Sequence, residues 1–205
     1  MPALIDLILV RHGETAWNAS RRFQGRTDIP LSEIGRARAR AVSLRLQSEA
    51  FDCGYASDLD RAAETARIIA EPHGLAVTIE PRIREFDFGQ WEGLTWDEIA
   101  RRWPELQAHG STAARLYHPQ GGESFDAVCA RVASFLADLR LRGDACVLAV
   151  AHAGVLHALF EVFGNTLEGR GPEPIRFAHA SVTRIAIEPD RARIVALNDV
   201  SHLRQ

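Results

Sequence analysis

The chain has 205 residues, 46% of them hydrophobic and 25% charged, with a net charge of −3. That length and apolar fraction fit one sizeable core and exclude bulk disorder. The acidic balance argues against nucleic acid or a membrane surface as a global partner, because those are met by basic faces, so an anionic substrate has to be held by local arginines. Cys53, Cys129 and Cys146 are odd in number and widely spaced in apolar stretches, which reads as reduced thiols rather than disulfides or zinc ligands and favours a cytoplasmic location. The N-terminal apolar run has no basic region before it and no small-residue cleavage site after it, so it reads as a core strand, and nothing in the sequence spans a bilayer.

That first run, Leu4 to Val10, ends at Arg11-His12-Gly13-Glu14-Thr15. A buried strand ending in a polar cluster delivers side chains into the crevice at the carboxyl edge of an open α/β sheet. Arginine offers phosphate a planar fork of donors, and a neutral histidine nitrogen can attack phosphorus. Ser32 then caps a helix running to about Glu49, with Ala37, Ala41, Leu44 and Leu46 as its apolar positions. Cys53 to Ala56 is a short strand, after which Ser57 and Asp60 have the spacing of a capping box for a helix to about His73. Val77 to Glu80 reads as a third strand.

From Pro81 to Gly122 the pattern loosens around Pro81, Pro104, Pro119, Gly121-Gly122 and the tryptophans Trp91, Trp96 and Trp103, which predicts an inserted lid with a helix from Trp96 to Trp103. Phe125, Val128, Cys129, Val132, Phe135, Leu136 and Leu139 form a helical stripe. Cys146 to Ala151 is a further strand ending at His152-Ala153-Gly154, followed by a helix from Val155 to Phe163. Val182 to Ile187 and Arg193 to Leu197 read as two late strands, with Asn198-Asp199 as a turn. The alternation predicts a single three-layer α/β/α domain over residues 1–205, with a mostly parallel central sheet and a small lid at about 81–122.

In such a sheet the strand ends gather Arg11, His12, Arg61 and His152 at one edge, and Glu85 at the mouth of the lid adds a general acid, with Asp87 and Glu92 as neighbours able to take that role. Two fixed guanidinium charges oppose a divalent cation, so no metal is expected. Other readings remain at this point: Arg61 could pair with Asp58 or Glu64 on a helix surface, His152 could be a core histidine, and Asn18 and Gln24 could be turn residues. His73, His109, His118, His157, His179 and His202 read as structural or solvent-exposed.

Taken in order, the pieces resemble the histidine phosphatase superfamily, in its phosphoglycerate mutase-like branch, over nearly the whole length. They are Arg11 to Thr15, Trp17-Asn18, Phe23-Gln24-Gly25 with Asp28 and Pro30-Leu31-Ser32, Ser57 to Ala62, Glu85 with Phe88-Gly89 and Trp91-Glu92-Gly93, Gly121 to Ser124, and His152. The resemblance implies that His12 becomes phosphorylated, that Arg11, Arg61 and His152 surround the phosphoryl group, that Asn18 adds a hydrogen bond, and that Glu85 handles the proton. Gln24 and Gly25 join the substrate-binding set.

The residue chemistry agrees with these roles. His12 attacks only if its other ring nitrogen holds the proton, against a carbonyl near Gly13 or Glu14. Ala153 supplies an amide donor at a helix N-terminus. Within the family, Trp96 stands where the mutases carry a lysine, Phe88 where they carry a tyrosine, and Gln24 where they carry a small hydroxyl residue. Phe86, Phe88, Trp91 and Trp96 near the pocket mouth suit a leaving group with an apolar part.

The expectation is therefore a phosphomonoester hydrolase, without metal or cofactor, acting on a small phosphorylated metabolite and most similar to the broad-specificity and α-ribazole phosphatases. The alternatives are cofactor-dependent mutase transfer, for which Arg101, Arg102 and Arg115 could supply charge, and a phospho-ligand binding domain without turnover. A homodimer is left open.

Overall fold

The computed structural model describes residues 4–107, 119–142, 145–169 and 175–203. Strand β1 (Ile5–Arg11) is apolar on both faces, and Leu7, Ile8, Leu9 and Val10 are all buried, as a strand covered on both sides requires. Among the described residues six further strands follow: β2 (Cys53–Ala56), β3 (Val77–Ile79), β4 (Ala145–Ala151), β5 (Leu167–Glu168), β6 (Val182–Ile187) and β7 (Ala192–Asp199). They join β1 in one seven-stranded sheet of order β3-β2-β4-β1-β6-β7-β5. The β1·β4, β2·β4, β2·β3 and β5·β7 pairs are parallel, whereas β6 runs antiparallel to both β1 and β7.

Alternation along the central strands sorts the core into two layers. Leu7, Leu9, Val147 and Ala149 face helices α5 (Phe125–Arg140) and α6 (Ala153–Phe163), through Val128, Val132, Phe135, Leu156 and Leu159. Ile8, Val10, Leu148 and Val150 face α2 (Glu33–Arg45) and α3 (Asp60–Ala70), through Val42, Ala62, Ala66 and Ile69. The result is the expected three-layer α/β/α arrangement. The described residues also hold two short helices, α1 (Ala16–Ala19) after β1 and α4 (Trp96–Arg102) in the lid region.

Several local expectations are corrected. Helix α2 stops at Arg45 rather than near Glu49, with Leu46 closing the last turn and still buried. The capping box of α3 does not form, because Asp60 is the first helical residue and not the third: Ser57 Oγ accepts from the Leu59 amide at 3.2 Å, and Asp28 Oδ1 from the distant first loop caps the Asp60 amide at 2.9 Å. Asn198-Asp199 is not a turn but the end of β7. Asn198 takes a left-handed φ of 50°, which asparagine tolerates, at a register shift against β6.

The lid region has its own apolar cluster of Trp91, Ile99 and Leu106, packed by Phe23, Phe88, Leu94, Trp96 and Trp103. The expected aromatic pocket mouth is corrected accordingly: Phe86 is buried in the main core and Trp91 in the lid cluster, each 3% exposed. Burying a large ring gains more than exposing it at an aqueous opening. Arg115, His109 and His118 lie outside the described residues. Among the described residues no helix is long and apolar enough to cross a membrane. Cys53, Cys129 and Cys146 are half-buried and form no disulfide with one another.

Candidate active site

His12 leaves the end of β1 with its amide bonded to Ala151 O on β4 at 3.0 Å, so the ring starts from a position fixed by the sheet. Its Nδ1–H donates to Gly13 O at 2.7 Å, which assigns the proton to Nδ1 and leaves the Nε2 lone pair unprotonated. Burial is the first cause that holds His12 well below the usual imidazole range, followed by the charges of Arg61 and Arg11. The ring is therefore neutral at neutral pH, with Nε2 able to attack an electrophile. Gly13 is required by packing: a Cβ there would lie 2.6 Å from Gly35 O, where the N-terminal turn of α2 crosses the loop.

Helix α3 carries Arg61, which is fully buried. Its Nη2 donates to Gly25 O at 2.6 Å and its Nη1 to Thr27 O at 2.9 Å, so Gly25 acts on the site by aiming Arg61. Gly25 has a φ of 55°, and a Cβ would collide with Glu92 Oε1 at 1.9 Å. One turn on, Thr65 Oγ1 accepts from the Gly13 amide at 3.1 Å and donates to Arg61 O at 2.7 Å, which ties the loop after β1 to the helix that carries Arg61. Arg11 donates through Nη1 to Phe177 O at 2.6 Å. Burial lowers Arg61 and brings Arg11 down to about 10, and both remain cationic at neutral pH.

His152 precedes α6 and is fully buried, its ring centroid 5.0 Å from that of His12 at a tilt of 55°. Burial first, and then Arg61 and His12, hold it well below the usual range. Ala153 opens α6 directly after it, so its amide belongs to the set that no intrahelical carbonyl reaches. The next amide, of Gly154, donates to Glu85 Oε1 at 3.1 Å, and the Phe86 amide bonds the same oxygen at 2.9 Å. Oε2 lies 3.5 Å from Gly154 N, too far for a good bond. The main chain at Glu85 is clamped by Arg131 from α5, which donates to Arg82 O at 2.7 Å, to Glu85 O at 3.2 Å and in a fork to Glu123.

Asp87 and Glu92 are spent elsewhere. Glu92 accepts from the Arg26 and Thr27 amides at 2.8 and 2.9 Å, and Asp87 pairs with Arg26 at 3.2 Å. Asn18 lies in α1, directly after the motif, and Gln24 on the loop that follows it. Asn18 Oδ1 accepts from the Thr15 amide at 3.0 Å, and Gln24 Oε1 from the Thr15 hydroxyl at 2.8 Å. Buried Thr15 thus holds both amides by their oxygens and turns their NH2 donors away from itself. That role was not visible in the sequence, where Thr15 is one more motif residue.

His179, expected to be structural or exposed, is the other residue the sequence reading missed. Its ring centroid lies 5.8 Å from that of His12 at a tilt of 53°, and burial followed by Arg11 and Arg38 brings it down to about 3. Among the described residues, Arg11 Nε, Arg61 Nε, both ring nitrogens of His152 and Nε2 of His179 are buried without a hydrogen-bond partner. Orphaned buried donors cost about 1–3 kcal/mol each, so their concentration at one edge marks a place where a ligand's oxygens belong. Two guanidiniums among neutral imidazoles suit an oxyanion.

Comparison with known proteins points the same way. The profile described as Histidine phosphatase superfamily (branch 1) matches residues 7–200. The chain is 36% identical over 204 residues to the metal-independent phosphoserine phosphatase of Arabidopsis thaliana, covering 97% of this chain and 83% of that protein. It is 33% identical to a probable phosphoglycerate mutase GpmB of Yersinia pestis, over 89% of this chain and 85% of that one. A solved structure of a mycobacterial glucosyl-3-phosphoglycerate phosphatase in complex with VO3 superposes with a TM-score of 0.83 at 32% identity, covering 94% of this chain and 98% of the other.

Proposed function

Because the chain belongs to branch 1 of the histidine phosphatase superfamily, we propose that it hydrolyses phosphomonoesters of small metabolites through a phosphohistidine formed at His12 Nε2. The observation that carries this reading is the Nδ1–H bond of His12 to Gly13 O, which leaves Nε2 as the free nucleophile beside Arg11, Arg61 and His152. In the first step the Nε2 lone pair forms a bond to phosphorus, the ester P–O bond breaks, and Glu85 in its acid form gives the leaving oxygen a proton. In the second, Glu85 takes a proton from water, the water oxygen attacks phosphorus, and the N–P bond breaks to release inorganic phosphate and neutral His12. Arg11, Arg61, His152 and the Ala153 amide are the donors for charge on the equatorial oxygens, and Asn18 and Gln24 offer their NH2 groups at the same wall.

Water is the acceptor in this reading. Arg22, Arg26, Arg84 and Arg131, the arginines that tie the lid region down, are each paired with a carboxylate. Arg101 and Arg102 are exposed on α4. A mutase needs free lid cations to retain a second anionic group while the phosphoryl group stays on histidine. The half-buried reduced thiols and the acidic net charge support a cytoplasmic enzyme whose partner is a small phosphorylated metabolite, with no nucleic-acid or membrane partner.

The test is turnover of p-nitrophenyl phosphate in EDTA, expected in the wild type and abolished in His12→Ala. Turnover lost to the chelator would overturn the metal-free route. Exchange between 2- and 3-phosphoglycerate that is stimulated by 2,3-bisphosphoglycerate and outpaces phosphate release would overturn water as acceptor. A panel including phosphoserine, glucosyl-3-phosphoglycerate and α-ribazole phosphate, compared by kcat/KM, selects the substrate.

A further inference from the structure

His12 follows the central strand β1, whose two sheet neighbours are β4 and β6. His152 leaves the carboxyl end of β4, parallel to β1. His179 enters the amino end of β6, antiparallel to β1, and so stands at the same edge on the other flank. The nucleophile lies between two imidazoles, with ring centroids 5.0 and 5.8 Å away.

The segment that carries His179 is built to hold it there. The Ala180 amide donates to Arg11 O at 3.0 Å and His12 O at 3.2 Å, while His202 Nε2–H donates to Ala180 O at 2.9 Å. Asn198 binds both sides of the approach, accepting from the Ala178 amide at 2.8 Å and donating to Arg176 O at 2.9 Å. Ala180 itself adopts a φ of 57°, a left-handed conformation that costs alanine on the order of 1–2 kcal/mol and persists only where its surroundings impose it. This rigidly placed ring keeps Nε2 buried and unpartnered, as are Nε of Arg11, Nε of Arg61 and both ring nitrogens of His152.

We propose that His179 is a substrate-contacting residue, whose Nε2–H donates to an oxygen of the transferring phosphoryl group on the side of His12 opposite His152. Because burial and the charges of Arg11 and Arg38 hold the ring neutral, it contributes a directed donor without adding a proton that the phosphate could take. The inference rests on the phosphohistidine reading and deepens it.

The test compares wild type with His179→Phe, His179→Ala and His179→Gln, in p-nitrophenyl phosphate turnover and in inhibition by orthovanadate, a mimic of the pentacoordinate phosphoryl group. Phenylalanine keeps the ring volume and deletes the donor, while glutamine places an amide NH2 near the lost Nε2. The expected result is a fall of about ten- to a hundredfold in kcat/KM with a parallel weakening of vanadate in the phenylalanine and alanine variants, the scale of one hydrogen bond to a charged group. Glutamine recovers part of both, and the thermal midpoint of the phenylalanine variant stays close to wild type. If a folded phenylalanine variant keeps kcat/KM and vanadate inhibition within twofold, the inference is overturned while the phosphatase reading stands. A wild type that neither turns over nor binds vanadate overturns both.

Discussion

At the scale of single residues, the site depends on small groups as much as on its charged ones. A Cβ at Gly154 would lie 2.4 Å from Glu85 Oε1, so Gly154→Ala must push the carboxylate off the helix terminus that holds it. The expected outcome is a loss of about a hundredfold in kcat, the scale of a 1 Å misplacement, with KM little changed, read by steady-state kinetics on p-nitrophenyl phosphate. Thr65→Val keeps the shape but leaves the Gly13 amide buried and unpaired. It should lower stability by about 1–3 kcal/mol in urea unfolding.

Arg11, His12, Arg61, Glu85 and His152 were legible because their residue types carry chemistry and their positions follow strand ends. Thr15 and Thr65 were not, because a hydroxyl that orients an amide or satisfies a loop N–H looks in sequence like any surface threonine.

Among the secondary elements, the decisive one is β6, whose direction no periodicity records. Period-two alternation marks Val182 to Ile187 as a strand whichever way it runs, so a sequence reader searches only carboxyl ends and passes over His179 at an amino end. The capping box expected for α3 failed for a related reason, since Asp28 reaches that helix from 32 residues away and such a partner leaves no local signature, whereas Ser32 caps α2 as its local spacing implies.

Helix α5 shows how an element far from the chemistry enters it. Arg131 holds the main chain under Glu85 and pairs with Glu123 at 2.9 Å, with only 15% of its side chain exposed. Arg131→Met keeps the packing length while removing these bonds. It is expected to reduce kcat several-fold and to speed limited proteolysis between Pro81 and Gln107, checked by gel time courses beside the kinetics.

For the molecule as a whole, three neutral histidines gathered in one buried place make folding sensitive to acid. His12, His152 and His179 are all held below their unfolded value of about 6.5. As pH falls below that value the unfolded chain binds protons that the folded one refuses, so stability is complete above about pH 6.5 and declines as pH falls, each group adding a slope of up to about 1.4 kcal/mol per pH unit. For His179 the decline ends near its folded value of about 3. Urea midpoints measured from pH 7 to 5, above the carboxylate range, should fall steadily, and His179→Phe should flatten that slope. A slope unchanged by the substitution contradicts the neutral assignment.

The central place of β1 also sets an order of assembly. It is the first strand of this chain to be synthesised, yet its two sheet partners are residues 145–151 and 182–187. While the ribosome is still making the middle of the chain, β1 therefore has two bare hydrogen-bonding edges, and such edges attract foreign strands. Closure must await contacts more than 130 residues apart, a topology that slows folding. Newly made protein should accordingly lean on chaperones that shield an extended apolar segment, and a ribosome stalled before β6 emerges should hold a chain with β1 still lacking one neighbour and no phosphatase activity.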